Sequence, residues 1–283
     1  MRISNSYLGS TIGRNDGAPL YYTNIMRKLG HDVVRPCGLK PIEPLGKCDF
    51  HLWVDWGEDA LKPMLPNEPI NMSSYHPSVY IASDTHLGFD YRLNKAKEFD
   101  FVFCNQKRAV EEFGKNGVKS TWLPHAAEPM AYPCIPECMK KYDVSFVGYV
   151  SFPKRRDALD RIFKSFDNFF YGQRLFESAA EMYRKSKIVL NTAAVDDVNM
   201  RVFETLATKS FLLTEDIPTI HELFTDGKHL VTYKNLDDAI DKIKYYLQND
   251  EERNNIALEG YKEFISKHTY QHRFETILKS INL

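Results

Sequence analysis

The sequence predicts an α/β protein built as two parallel-sheet domains, and two observations carry that prediction. Short apolar runs alternate with amphipathic helical stretches along most of the 283 residues, the pattern of strands and crossover helices. A proline-crowded stretch, Pro124, Pro129, Pro133 and Pro136, interrupts the alternation, and a fresh strand pattern starts at Asp143. Proline at that density reads as a stiff connector between domains, and the length suits two domains of ordinary size.

In the first half, strands are expected over residues 1–7, 32–35, 50–54, 79–83, 101–104 and 121–123. Helices are expected over 19–29, where Gly30 supplies the stop, and over 92–98 and 107–116. In the second half the expected strands are 144–147, 168–171, 188–191, 211–214 and 229–233. The helices between them are expected at 156–166, 179–185, 199–208, 219–224 and 236–248. The tail from 251 to 283 reads as two helices with a break at His268, Thr269 and Tyr270. Either both helices pack on the second domain or the last one crosses back to the first. The domains are read as 1–135 and 136–268, with 269–283 as the returning helix.

Composition narrows the function. Apolar residues make up 43% and charged residues 27%, enough material for a sizeable core. The net charge is −1 and neither half is basic, so nothing advertises nucleic-acid binding. A local patch from Arg14, Lys107, Arg108, Lys115 and Lys119 stays open. The five Cys are odd in number and form no CxxC pair, which favours reduced thiols. With no apolar run near 20 residues and no signal-peptide pattern, the expectation is a cytoplasmic protein without integral membrane contact.

Two α/β domains suggest a cleft, and open parallel sheets bind ligands beyond the carboxyl ends of their strands. The residues that follow each strand are therefore the candidates. After strand 144–147 comes Gly148, and then Lys154, Arg155 and Arg156 just before a helix. Glycine permits close backbone approach, and cations at a helix N-terminus suit a diphosphate; a solvated basic helix start would look the same. GxGxxG and the Walker pattern are both absent.

Asp196, Asn199, Arg201 and Glu204 lie between the apolar runs 187–192 and 211–214. Seven residues separate the two carboxylates, one in the loop and one on the following helix. A carboxylate on ribose hydroxyls and a cation on phosphate are recurring nucleotide-binding devices; acidic residues near a helix start also serve the dipole alone. In the first half Asp84, Thr85 and His86 end a strand. His86 can bond a sugar hydroxyl or stabilise developing charge, and Asp84 can orient it or act as a base. His125 ends another strand, and Gly13 and Arg14 sit in a long Gly-rich loop after the first strand, both on the acceptor side. No carboxylate cluster reads as DxD, so no metal and no cofactor are expected.

With those residues in view, the chain resembles the two-domain, Rossmann-like GT-B glycosyltransferases, and more closely the group 1 transferases of the spore-maturation (CgeB-like) type. The residues that carry the resemblance are Asp84, Thr85 and His86; Phe99 to Gln106; Phe146, Val147 and Gly148; Asn199 to Glu204; Glu222, Leu223 and Phe224; Gly227 to Val231; Asn235 to Asp238; and His268, Thr269, Tyr270 and Arg273. It spans roughly residues 75–280 and is strongest in the second domain.

The resemblance implies transfer of a sugar from a nucleoside diphosphate-sugar, usually retaining and usually without a metal. It places Glu204 on the ribose, and Lys154, Arg155 and Arg201 on the diphosphate, with His86 near the sugar. Asp196 stands where relatives carry the first Glu of a Glu-x7-Glu motif, one methylene shorter. The acceptor stays open among a small sugar, a protein, an envelope polymer and a modified nucleobase. A non-catalytic nucleotide-sugar sensor and a nucleotide-sugar epimerase of the same architecture are the alternatives.

Overall fold

The computed structural model describes residues 1–6, 17–34, 47–55, 71–135, 138–150, 153–174, 176–193, 195 and 197–283. The chain divides into two compact units, 1–124 with 270–283, and 125–269. Each is a parallel sheet carrying helices.

The first unit contains β1 (Arg2–Ser6), α1 (Ala18–Lys28), β2 (Asp32–Val34), β3 (Phe50–Val54), β4 (Ser78–Ala82), α2 (Phe89–Ala96), β5 (Phe101–Cys104), α3 (Lys107–Lys115) and β6 (Thr121–Trp122). The strand order is β2-β1-β3-β4-β5-β6 and every pairing is parallel. All five residues of β3 and of β4 are buried, as expected for strands covered on both faces. Helix α1 closes on Gly30 at φ 83°. There Gly30 N–H bonds Arg27 O and His31 N–H bonds Met26 O, both at 3.0 Å, a left-handed stop that glycine makes without steric cost.

A buried polar brace sits at the carboxyl edge of this sheet. Arg92 pairs with Asp55 at 2.7 Å with both side chains fully buried, and Tyr80 donates to Asp55 at 3.0 Å. Arg92 also donates to Ser83 O at 2.6 Å, which ties α2 to the residue that follows β4. Removing one partner of such a pair costs about 3–5 kcal/mol, because the other charge stays buried.

The second unit contains β7 (Tyr142–Val147), α4 (Pro153–Phe163), β8 (Phe169–Gly172), α5 (Phe176–Arg184), β9 (Ser186–Asn191), α6 (Met200–Ala207), β10 (Leu212–Glu215), β11 (Val231–Tyr233), α7 (Leu236–Gln248) and α8 (Asp250–Lys267). The order is β11-β10-β9-β7-β8, again all parallel. From β7 the chain crosses to β8 on one side and then returns to β9 on the other. The order of strand addition therefore reverses between β7 and β9, and that is where open sheets present a ligand crevice. The core joins Val144, Phe146, Ile188 and Leu190 from the strands to Leu159, Ile162, Ile243 and Ile256 from the helices. Asn235 caps α7 by accepting from Asp238 N–H at 3.0 Å, with Asp237 and Asp238 in the first turn.

The last helix, α9 (Tyr270–Ser280), is part of the first unit. Its Tyr270 ring meets Tyr21 and Tyr22 of α1 at 5.0 and 5.2 Å, and Phe274 stacks on Phe50 at 6.3 Å. Arg273 donates to Pro124 O at 2.8 Å.

Three local expectations are corrected. The helix expected at 156–166 starts at Pro153; proline at the first position has its φ preset and lacks an N–H that would be orphaned anyway. The helix expected at 219–224 is a 3-10 turn, Pro218–Glu222, too short to recover the cost of an α-helical nucleus. Part of the proline-rich stretch read as a connector is packed: Ala127 bridges Thr269, Tyr132 is buried, and Pro133 O accepts from Arg184 at 2.8 Å.

Candidate functional site

At the carboxyl edge of the second sheet, the reversal point between β7 and β9 is filled by Arg201. Asn199 is the N-cap residue of α6, and its side chain makes no capping bond; Val202 N–H bonds Asn199 O at 3.2 Å, and the N–H groups of Met200 and Arg201 are the donors a helix start offers to an anion. From this helix Arg201 donates through Nη1 to Asn191 Oδ1 at 2.6 Å and through Nε to Val147 O. Its guanidinium lies 4.4 Å from the centre of the Phe146 ring. A Cβ added to Gly148 would collide with Nη2 of Arg201, so glycine here makes room for the cation.

Asn191, the last residue of β9, organises this edge. Its Oδ1 also accepts from Asn199 Nδ2 at 3.2 Å, and its Nδ2 donates to Thr214 at 2.9 Å. Its backbone oxygen accepts from Tyr233 at 3.0 Å. Beside it, Arg155 donates to Thr192 O at 3.0 and 3.2 Å and to Tyr149 O at 2.6 Å. Arg155 thereby ties the tips of β7 and β9 together, packed 5.4 Å from the same Phe146 ring. Burial first, and then the Arg201 charge, pull its pKa down to about 10, against the opposing pull of Glu215. It remains charged at neutral pH. Two crowded cations in a poorly hydrated place form an edge that an anion would relieve.

Glu204 lies one helical turn beyond Arg201, half-buried. Its two oxygens accept from Tyr132 at 2.9 Å and Tyr183 at 3.1 Å. The Tyr183 hydroxyl also contacts Arg201, and burial followed by the Glu204 charge holds it far above the ordinary tyrosine range. Tyr183 is thus a neutral donor that links the cation to the carboxylate.

The structure brings Gly148, Arg155, Asn199, Arg201 and Glu204 together at one edge. Lys154 and Arg155 fall in the first turn of α4, not in the loop before it. Asp196, Gly13 and Arg14 lie outside the described residues. His125 opens the second unit and is buried.

In the first unit Asp84 adopts the left-handed conformation, φ 48° and ψ 42°, which Asp tolerates better than most residues. It starts the short turn Thr85–Leu87, where His86 is exposed. No hydrogen bond joins Asp84 to His86. The group on the ring is Gln106, from the end of the neighbouring strand β5, with Nε2 3.2 Å from His86 Nδ1. Spacing along the chain did not reveal Gln106, Asn191, Tyr132 or Tyr183, because each acts across strands or helices.

Among the described residues, no group of three or more His, Cys, Asp or Glu could hold a metal ion, and no helix is long and apolar enough to cross a membrane.

Residues 139–279, just under half of the chain, match the Glycosyl transferase-like family. Among solved structures, HepE of Anabaena in complex with UDP and glucose is similar with a TM-score of 0.67 at 12% identity, covering 100% of this chain and 99% of that one. Sucrose-phosphate synthase from Thermosynechococcus elongatus gives 0.65 at 9%, covering 99% and 98%. TarM gives 0.61 at 13%, covering 82% of this chain; the chain spans only about half of TarM, 55%. No curated protein matches the sequence. Together the domain match and the similar structures define the class: the chain has the two-domain GT-B fold, and residues 139–279 carry a glycosyl transferase-like domain.

Proposed function

We propose that this protein is a glycosyltransferase that moves a sugar from a nucleoside diphosphate-sugar to an acceptor, with retention and without a metal. The observation that carries the reading is Arg201, seated where the strand order of the second sheet reverses, with Gly148 leaving it room. A diphosphate at that edge meets Arg201 and the open start of α6, with the Arg155 charge behind and Lys154 in the first turn of α4. Glu204 lies on the same helix as Arg201, within reach of the ribose attached to that diphosphate. Cations that bind the developing charge of the leaving group lower the barrier, which is the task a metal performs elsewhere. Asp196, and Asp84 and His86 of the first unit, are proposed for the sugar, with Gly13, Arg14 and His125 on the acceptor side. The spore-maturation type is proposed on the motifs that carry that resemblance.

HepE was solved with UDP and glucose, which makes UDP-sugars the first donors to try. The test is product analysis by NMR with UDP-, GDP-, ADP- and dTDP-sugars. Release of nucleoside diphosphate with a glycosylated or hydrolysed sugar supports transfer. An epimerised but intact donor would replace it with the epimerase reading, and binding without turnover with the sensor reading.

A further inference from the structure

We propose that Gln106 is a positioning residue for His86, fixing the ring as the tautomer with its proton on Nε2. His86 then meets substrate as a hydrogen-bond donor and not as a base. The proposal rests on the glycosyltransferase reading for its substrate, and on this chain's own geometry for the tautomer.

Strands β4 and β5 are parallel neighbours, with Ala82 opposite Cys104. The residues that follow each strand are thus side by side, and two hydroxyl–amide bonds join them. Ser83 donates to Asn105 Oδ1, and Asn105 donates to Leu123 O at 2.8 Å. Further along both segments, Thr85 donates to Gln106 Oε1 at 2.5 Å. Thr85 and Gln106 are 4% and 6% exposed, so neither has much water as an alternative partner.

With its oxygen engaged by Thr85, Gln106 turns its NH2 toward His86 Nδ1 at 3.2 Å. An amide NH2 only donates, so Nδ1 accepts. A neutral imidazole with one accepting nitrogen carries its proton on the other. Nε2–H, on an exposed ring, makes no bond to the described residues and is left for a ligand oxygen. The backbone under this turn is held in turn by Arg92 on Ser83 O. A base would need an open lone pair toward the substrate; the one lone pair of this ring is spent on Gln106.

The tautomer is read directly by long-range 1H–15N correlation on the full chain labelled with 15N-histidine, with His86→Gln identifying the signal. The expected result is a protonated Nε2 and a bare Nδ1. Gln106→Glu places an acceptor against Nδ1 and should move the proton there. Gln106→Leu, a second variant without a new charge, should lower kcat with UDP-glucose by about five- to tenfold while KM stays within about twofold, the size of one neutral hydrogen bond. A glutamine amide reaches close to the Nε2 position, so His86→Gln should retain activity within about tenfold, whereas His86→Ala should lose about 100-fold. A protonated Nδ1 in the wild type would overturn the proposal. So would His86 signals unmoved in folded Gln106→Glu, or His86→Gln as inactive as His86→Ala. If the wild type turns over no sugar nucleotide, the functional reading has failed, and the NMR result still decides the tautomer.

Discussion

The carboxyl edges of the two sheets are made of different chemistry. In the second unit the edge is charged: Arg201 and Arg155 crowd the tips of β7 and β9, with Glu204 a turn away. In the first unit the groups that hold His86 are neutral, hydroxyls and amides that each fix the direction of the next, and the charges beneath them, Arg92 and Asp55, are paired with each other. Charge gives affinity with loose geometry, whereas neutral hydrogen bonds give direction with modest energy. The comparison teaches that two sheets of the same parallel class can divide binding from orientation through the few residues that follow each strand.

The largest expected effect comes from breaking the charged edge. Arg201→Ala should weaken nucleoside diphosphate binding by about 2–5 kcal/mol, the usual cost of removing one buried charged partner. Calorimetry checks this, with Arg201→Lys keeping the charge but losing the fork that meets Asn191 and Val147. Next, Glu204→Gln should lose about tenfold in affinity for a ribonucleoside diphosphate and little for its 2′,3′-dideoxy form, since a carboxylate bonds hydroxyls more strongly than an amide does. Equal loss for both nucleotides would remove Glu204 from the ribose.

Gly148→Ala sharpens the same edge without touching a charge. The added methyl displaces Arg201, so diphosphate affinity should fall by about three- to tenfold, with Tm lower by a few degrees. Unchanged affinity would show that Arg201 need not stand at Gly148. The smallest effect belongs to the opposite end of the first sheet, where His76 meets Asp100 at 2.9 Å. The hydrogen bond from Asp100 raises the His76 pKa. Burial pushes Asp100 up, but its bonds to His76 and Ser78 outweigh that and leave it lowered. The pair's contribution is therefore present below the unfolded histidine value near ~6.5 and fades as pH rises through the folded value. It fades again in acid as pH falls through the lowered Asp100 value. An NMR titration should find His76 above its ordinary pKa in the wild type and back near it in Asp100→Asn.

The strands were legible because parallel strands buried on both faces print as apolar runs, as β3, β4 and β9 do. Helix starts were less legible: α4 begins on Pro153, before its apolar pattern does. Of the charged edge, Gly148, Arg201 and Glu204 stood out because strand, glycine, helix start and carboxylate are close in sequence. Their partners did not. Asn191 looked like the end of a strand, Tyr183 like a core residue of α5, and Tyr132 sat in a proline-rich stretch. What makes them functional is who they meet across the fold, and chain spacing does not encode that. Gln106 was hidden for the same reason, since its relation to His86 exists only once β4 and β5 pair.

The division between the two edges is tested most directly by calorimetric titration of UDP, GDP, ADP and dTDP into the wild type, Arg201→Ala and His86→Ala. The expected result is that at least one nucleotide binds the wild type, that Arg201→Ala loses about thirtyfold or more of that affinity, and that His86→Ala keeps it, since these ligands lack the transferred sugar that His86 would meet. Equal binding to the wild type and Arg201→Ala, or loss in His86→Ala alone, would contradict it.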